Sequence, residues 1–348
     1  MSWEDFGIVI APGETIKEQI AIYGLTQKEF ARRMQMSEKQ ASRLVNGEIE
    51  LTNEIARKLT FVLGMHLEFW LGLERDYRIA LMKQTENDEL KKDFFIFDYL
   101  DYQELVRTRY VEKACDDFEK IKNLRSFLSI TSLELLKDLK VKKSYLSEVS
   151  FADDKEFLAN ILWMQKAQKD SMINEYVGPL SISRLIKNFS NLKECSKLPL
   201  DKVVEKISSI LLNCGVYLAY LPKLKNSTLD SYCLRHIDYA VVAIADDKSD
   251  LLTFFERLFK ELSFIVMNKL SIKNKDHEYR QRQTEIESFV DENLLSTGKL
   301  YQEFANNIVT DDKIKEIATN SFVDPSLVVT KLAKLNIISN RAFKELKK

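Results

Sequence analysis

Residues 25–47, "LTQKEFARRMQMSEKQASRLVNG", decide what the N-terminal part of this chain builds. Thr26 is followed three residues later by Glu29, and Ser37 three residues later by Gln40, so two capping-box signatures sit close together. Each marks a helix start, because the hydroxyl and the longer side chain satisfy the backbone N–H groups a helix leaves open. Phe30, Ala31 and Met34 give the first helix an apolar face, and Ala41, Leu44 and Val45 do the same for the second. Gln35-Met36 leaves only a short turn between them. Two short helices joined so tightly must cross steeply, which is helix-turn-helix geometry.

Outward from that pair the helix signals continue. "PGETIKEQIAIYG" (12–24) opens with Pro-Gly and an acidic turn, puts Ile16 and Ile20 on one face, and ends at Gly24 as a C′ residue. Thr52 caps a fourth helix through Ala56, Leu59 and Leu63 to Gly64, and "MHLEFWLGLERDY" (65–77) reads as a fifth. This register resembles the Cro/C1-type helix-turn-helix domain of the XRE family. The string "PGETIKEQ … GLTQKEFARRM … SEKQASRLVNGE … LTNEIARKLTFVLG … EFWLGLERDY", closed by Trp70, resembles HigA-type antitoxins in particular. The resemblance spans roughly residues 10–80. It departs from the family at Gln35, where a glycine is usual and eases the turn.

In this geometry the second helix starts at Ser37 and offers its N-terminal residues to the major groove. Glu38, Lys39, Ser42 and Arg43 lie opposite its apolar face and can reach base edges. Arg43 suits the O6/N7 edge of guanine and Glu38 the N4 amine of cytosine. Gln27, Ser37, Gln40 and Asn46 stand at helix ends, where phosphate contacts are made. Acidic Glu29, Glu38, Glu48, Glu50 and Glu54 offset most of the local cations, so non-specific affinity is expected to be weak and useful binding to need a homodimer on two half-sites. The other reading of these polar faces is plain solvation.

The bulk composition sets the frame. With 45% hydrophobic residues over 348 positions the chain can bury a large core in two or three domains. The 52 basic and 53 acidic residues cancel to −1, so no global field draws in nucleic acid. Only 9 Gly and 5 Pro imply long helices with short connections. The four scattered cysteines show no C-x-x-C pair, which favours reduced thiols. The acidic opening "MSWEDFG" is unlike a signal peptide, and no apolar run approaches the ~20 residues of a membrane span. A cytoplasmic protein without membrane contact is expected.

Residues 90–150 alternate charge with apolar spacing in "DYLDYQELVRTRYV", "DDFEKIKNLRSFLSI" and "TSLELLKDLKV", and read as amphipathic helices. "EFLANILWMQKAQKD" (156–170) is another, with Phe157, Ile161 and Leu162 inward and Trp163 partly so. "GVYLAYLPKL" (215–224) and "YAVVAIAD" (239–246) read as strands, with a loop and a short third strand between them. The helix 250–270 follows, then a polar loop "SIKNKDHEYRQRQ" (271–283), the helix "TEIESFVDENLLS", and a tail of two or three short helices, one opening at Asp324-Pro325. The expected fold is mainly α: a five-helix domain (1–82), a helical connector or partner region (83–198), and an α+β domain with a small sheet and a helical tail (199–348).

Within 258–269, "LFKELSFIVMNK", histidines at Lys260 and Phe264 would give H-E-L-x-H, a zinc-peptidase helix. Small sheet, K-E-L-S-F helix, charged segment and E-x-E-S-F-V helix resemble, in that order, the ImmA/IrrE-type metallopeptidase domain. The resemblance covers roughly 200–310, and more loosely 105–310. It implies that Glu261 holds the base position and Glu285 that of the distal acid, while Lys260 and Phe264 replace both histidines. An ammonium and a phenyl ring are not metal ligands, so a retired site is expected, with no metal, cofactor or catalysis and with Lys260 paired to carboxylates where the zinc charge would stand. The alternative is a core helix of no peptidase ancestry. No G-x-G-x-x-G, Walker loop or G-x-S-x-G occurs.

The expected function is a DNA-binding regulator acting on operator DNA as the antitoxin of a toxin–antitoxin pair, whose distal region binds the toxin. The alternatives are a metallopeptidase acting on a repressor and a sensor of a ligand or phage component.

Overall fold

The computed structural model describes residues 11–137, 140–142, 148–150, 155–173, 177–267, 276–304 and 308–346. It is mostly helical and divides into two compact units, Met1–Lys92 and Asp93–Lys348.

The first unit holds α1 (Pro12–Ile22), α2 (Gln27–Arg33), α3 (Glu38–Val45), α4 (Asn53–Val62) and α5 (Leu67–Lys91). Ile16, Phe30, Met34, Ala41, Leu44, Ala56, Leu59, Leu63 and Trp70 are all buried in one cluster, so the apolar positions of every helix face the same core. Trp70 closes it, its indole N–H donating to the Gly64 carbonyl at 3.1 Å. Helix α1 comes so close to α3 that a Cβ on Gly13 would lie 2.1 Å from the Val45 carbonyl oxygen. Only glycine fits there. The boundary expected at 82/83 falls inside α5, whose pattern contains neither Gly nor Pro after Gly72 and continues to Lys91.

The second unit opens with a 3₁₀ turn (Phe94–Asp98), α6 (Tyr102–Arg107) and α7 (Asp117–Leu128). The helix expected over 131–141 is instead a 3₁₀ turn (Leu133–Lys137) followed by β1 (Lys140–Lys142), which pairs antiparallel with β2 (Glu148–Ser150) through Val141 opposite Val149. The strand propensity of the β-branched residues in this stretch outweighs a weak helical period. Then come α8 (Lys155–Ile173), α9 (Ile182–Lys187), α10 (Phe189–Glu194) and α11 (Leu200–Leu212).

The sheet has β3 (Val216–Pro222), β4 (Ser231–Arg235) and β5 (Ala240–Asp246) in the order β3-β5-β4, with β5 parallel to β3 and antiparallel to β4. Residues 240–245 are all buried, because α8 covers one face and α11 and α12 (Leu251–Val266) the other. Trp163 is fully buried on α8. Of residues 83–198, expected as a connector, the first nine complete α5 of the first unit, and α8 supplies a layer of the sheet domain.

Helix α13 (Asp276–Asn293) begins inside the stretch read as a polar loop. Polar composition misleads there, since Arg, Gln and Glu are good helix formers and no breaker interrupts them. Residues 271–275 of that loop lie outside the described residues. Helices α14 (Thr297–Phe304), α15 (Asp311–Ser321) and α16 (Pro325–Lys334) follow, and Leu300, Ile314, Leu327, Val328 and Leu332 join the core that holds α12. Among the described residues no helix is long and apolar enough to cross a membrane.

Candidate nucleic-acid interface

Both capping boxes form. Ser37 Oγ accepts from the Gln40 N–H at 3.2 Å, while Gln40 Oε1 accepts from the Ser37 N–H at 3.1 Å. Thr26 and Glu29 make the equivalent pair at 3.2 and 3.1 Å, and the Thr26 N–H and hydroxyl, both donating to Glu29 Oε2, hold that carboxyl below its ordinary pKa. Between the helices, the N–H of Met36 donates to the Ala31 carbonyl and that of Gln35 to Arg32, the double bond of a Schellman turn. Gln35 consequently sits at φ +52°, in the left-handed region where a glycine is at ease. The turn keeps its shape in spite of that residue.

With Ala41, Leu44 and Val45 buried, α3 leaves Glu38, Lys39, Gln40 and Arg43 exposed and Ser42 half-exposed on one side. Gln27, Ser37 and Asn46 are exposed at helix ends, as their positions imply. Two of these side chains are already engaged. The Gln40 carbonyl oxygen is held by the cap, leaving its amide N–H groups to donate outward. Arg43 Nε lies 3.5 Å from Glu48 Oε2 across the end of the helix. Lys28, Arg32, Arg33 and Lys39 are exposed and, among the described residues, meet no carboxylate in an ion pair. Along the sequence Lys28, Arg32 and Arg33 count only as cations offset by nearby acids, because charge counting cannot separate paired from unpaired side chains.

The K-E-L-S-F helix has a different character. Glu261, on α12, is fully buried, and its Oε1 accepts from Ser231 Oγ on β4 at 2.6 Å. Lys260 Nζ stands 3.9 Å from the same oxygen. Phe264 is buried, and Glu285 on α13 is half-buried. Cys233 lies close by, its thiol pKa pushed well up by burial and by Glu261. These residues do not suit zinc: Lys260 and Phe264, one turn apart on α12, offer an amine that carries only hydrogen-bond donors and a packed phenyl ring, neither of them a metal ligand. Among the described residues no three His, Cys, Asp or Glu side chains cluster to hold a metal.

A helix-turn-helix family model matches residues 16–70, the span from the middle of α1 to Trp70. An uncharacterized HTH-type transcriptional regulator of Escherichia coli (strain K12), YddM, is 36% identical over 74 residues, which are 21% of this chain and 79% of that protein. Among solved structures, an addiction module antidote protein of the HigA family from Coxiella burnetii aligns at 23% identity and a TM-score of 0.23, over 24% of this chain and 94% of that one. Through its first unit, the chain belongs to the helix-turn-helix family of transcriptional regulators.

Proposed function

We propose that the protein is a sequence-specific DNA-binding regulator in which α3 enters the major groove. The observation that carries this reading is the pair of capped helices at a Schellman turn, with Glu38, Lys39, Ser42 and Arg43 on the side of α3 away from the core. Arg43 would pair with a guanine edge, Glu38 with a cytosine amine, and Gln27, Ser37, Gln40 and Asn46 with phosphates. The unpaired Lys28 and Arg32 add phosphate contacts on α2. A homodimer on two half-sites supplies the affinity that one nearly neutral unit lacks.

The finer role is that of an antitoxin, supported by the resemblance of the whole 10–80 string to that family. The second unit then buries a toxin surface without cleaving anything, since Lys260 and Phe264 exclude the metal chemistry that Glu261 would otherwise serve. Mobility-shift titration of full-length protein on its own promoter, with a parallel pull-down of the neighbouring gene product, tests both parts. Arg43→Ala should abolish specific operator binding and leave partner capture intact. Unchanged operator binding removes the groove assignment, and the absence of any captured toxin removes the antitoxin role.

A further inference from the structure

The second unit contains a cleft of 550 Å³ formed by the segment after α6, one face of α7, and Lys169 near the end of α8. That size falls within the range of small-molecule sites, about 300–1,000 Å³. Arg109, Lys113 and Lys169 line it, opposed by a single acidic residue, Glu112. Among the described residues none of the three cations is held in an ion pair. Cations beside them are: Arg107 with Asp101, Lys120 with Asp117, and Lys166 with Asp170. These three neighbouring cations are thus paired while, among the described residues, the three that line the cleft are not.

The walls are fixed before any ligand arrives. Tyr102 Oη donates to the Glu112 carbonyl at 2.7 Å and accepts from Asn123 Nδ2 at 2.9 Å, tying the loop to α7. Tyr110 Oη donates to the Pro222 carbonyl at 3.1 Å, anchoring the same loop to the sheet. Lys169 Nζ donates to the Ser126 carbonyl at 2.5 Å and lies over the Phe127 ring. Such preorganisation lowers the ordering cost of binding. Arg109 occupies the left-handed position that ends α6, at φ +61°, where a glycine would be at ease and an arginine is not.

We propose that this cleft binds a small phosphorylated molecule, a phosphomonoester or diphosphate. Its dianionic oxygens would face the Arg109 guanidinium and the ammonium groups of Lys113 and Lys169, with Asn123 as a neutral donor. Concavity argues for a small anion over a nucleic-acid strand, whose phosphates need an extended basic track.

Isothermal titration of the full-length chain with pyrophosphate, AMP and ATP, against sodium sulfate at equal ionic strength, tests this. Saturable binding of a phosphorylated probe is expected, with sulfate about tenfold or more weaker. Arg109→Gly and Lys113→Ala should each weaken it by about tenfold or more, the effect of removing one charge-assisted hydrogen bond. Arg109→Gly should leave the unliganded melting temperature unchanged or higher, because glycine suits that backbone, so lost binding would not mean lost folding. Absence of binding by every phosphorylated probe overturns the proposal. So does native-like affinity in both variants, or a single-stranded oligonucleotide that displaces pyrophosphate from the cleft.

Discussion

Substituting Gly13 by alanine sets two physical effects against each other, and the structure says which wins. Gly13 is the second residue of α1, where alanine improves helix propensity by about 1 kcal/mol. The added Cβ, however, would meet Val45 O at 2.1 Å, Val45 C at 2.7 Å and Leu44 O at 3.0 Å. These are backbone atoms at the C-terminal end of α3 and cannot swing aside, so α1 must move off α3. Overpacking of this kind costs about 1–3 kcal/mol, and contact this close against a main chain belongs at the upper end. The net expectation is a loss of about 1–2 kcal/mol. Gly72, in α5, supplies the control: its added Cβ meets nothing within 4 Å, so alanine there should stabilise by up to about 1 kcal/mol. Amide hydrogen exchange on the full-length chain reads both. Gly13→Ala should lower protection in α1 and α3 by about 5–30-fold, and Gly72→Ala should raise it. Higher protection in Gly13→Ala would mean that α1 is not seated against the end of α3.

Three further outcomes follow from the same geometry. Glu48→Gln frees Arg43 from its ion pair and should tighten duplex binding about 2–5-fold, the scale of an exposed pair, with the gain vanishing in an Arg43→Ala background; equal gain in both backgrounds would mean Arg43 touches no DNA. Ser231→Ala removes the hydroxyl donor to the buried Glu261 carboxylate and should cost about 2–3 kcal/mol in urea unfolding, whereas a neutral effect would mean that the pair is not buried in solution. Asp247 is held well below the usual carboxylate pKa by two hydrogen bonds from Arg257, at 3.0 and 2.8 Å, with burial opposing. A depressed folded-state pKa stabilises above the ordinary carboxylate range and loses its effect as pH falls through the lowered value. Arg257→Met should therefore return the Asp247 titration upward by carbon-13 NMR and move acid unfolding to higher pH; an unmoved titration would contradict the attribution.

What could be read from the sequence was what lies within a few residues of itself. Thr26 with Glu29, Ser37 with Gln40, and Thr52 are bonds closed over three residues, so residue identity and spacing suffice to find them. The strands around Val216–Pro222 and Ala240–Asp246 were legible because β-branched runs bounded by Gly, Pro and Asp have few other uses. Features that depend on distant partners were not. Ser231 and Glu261 meet across a helix–sheet interface, and Arg109 and Lys113, from the segment after α6, line one cleft with Lys169 of α8. The segment Asp276–Gln283 reads polar yet is helical, because polarity marks exposure and not conformation. At the candidate interface, spacing placed α3 and its outward residues, but the engagement of Arg43 with Glu48 is a side-chain conformation that no spacing rule contains.

In the proposed function, α3 reads duplex sequence through side chains held clear of the core. Selection of duplexes from a random pool by the full-length chain tests it most directly, run in parallel with a variant carrying Glu38→Ala, Lys39→Ala and Arg43→Ala. The native chain should enrich a motif of two half-sites about one helical turn apart, and the variant none. The same motif recovered by both proteins, or no motif from the native chain, would contradict it.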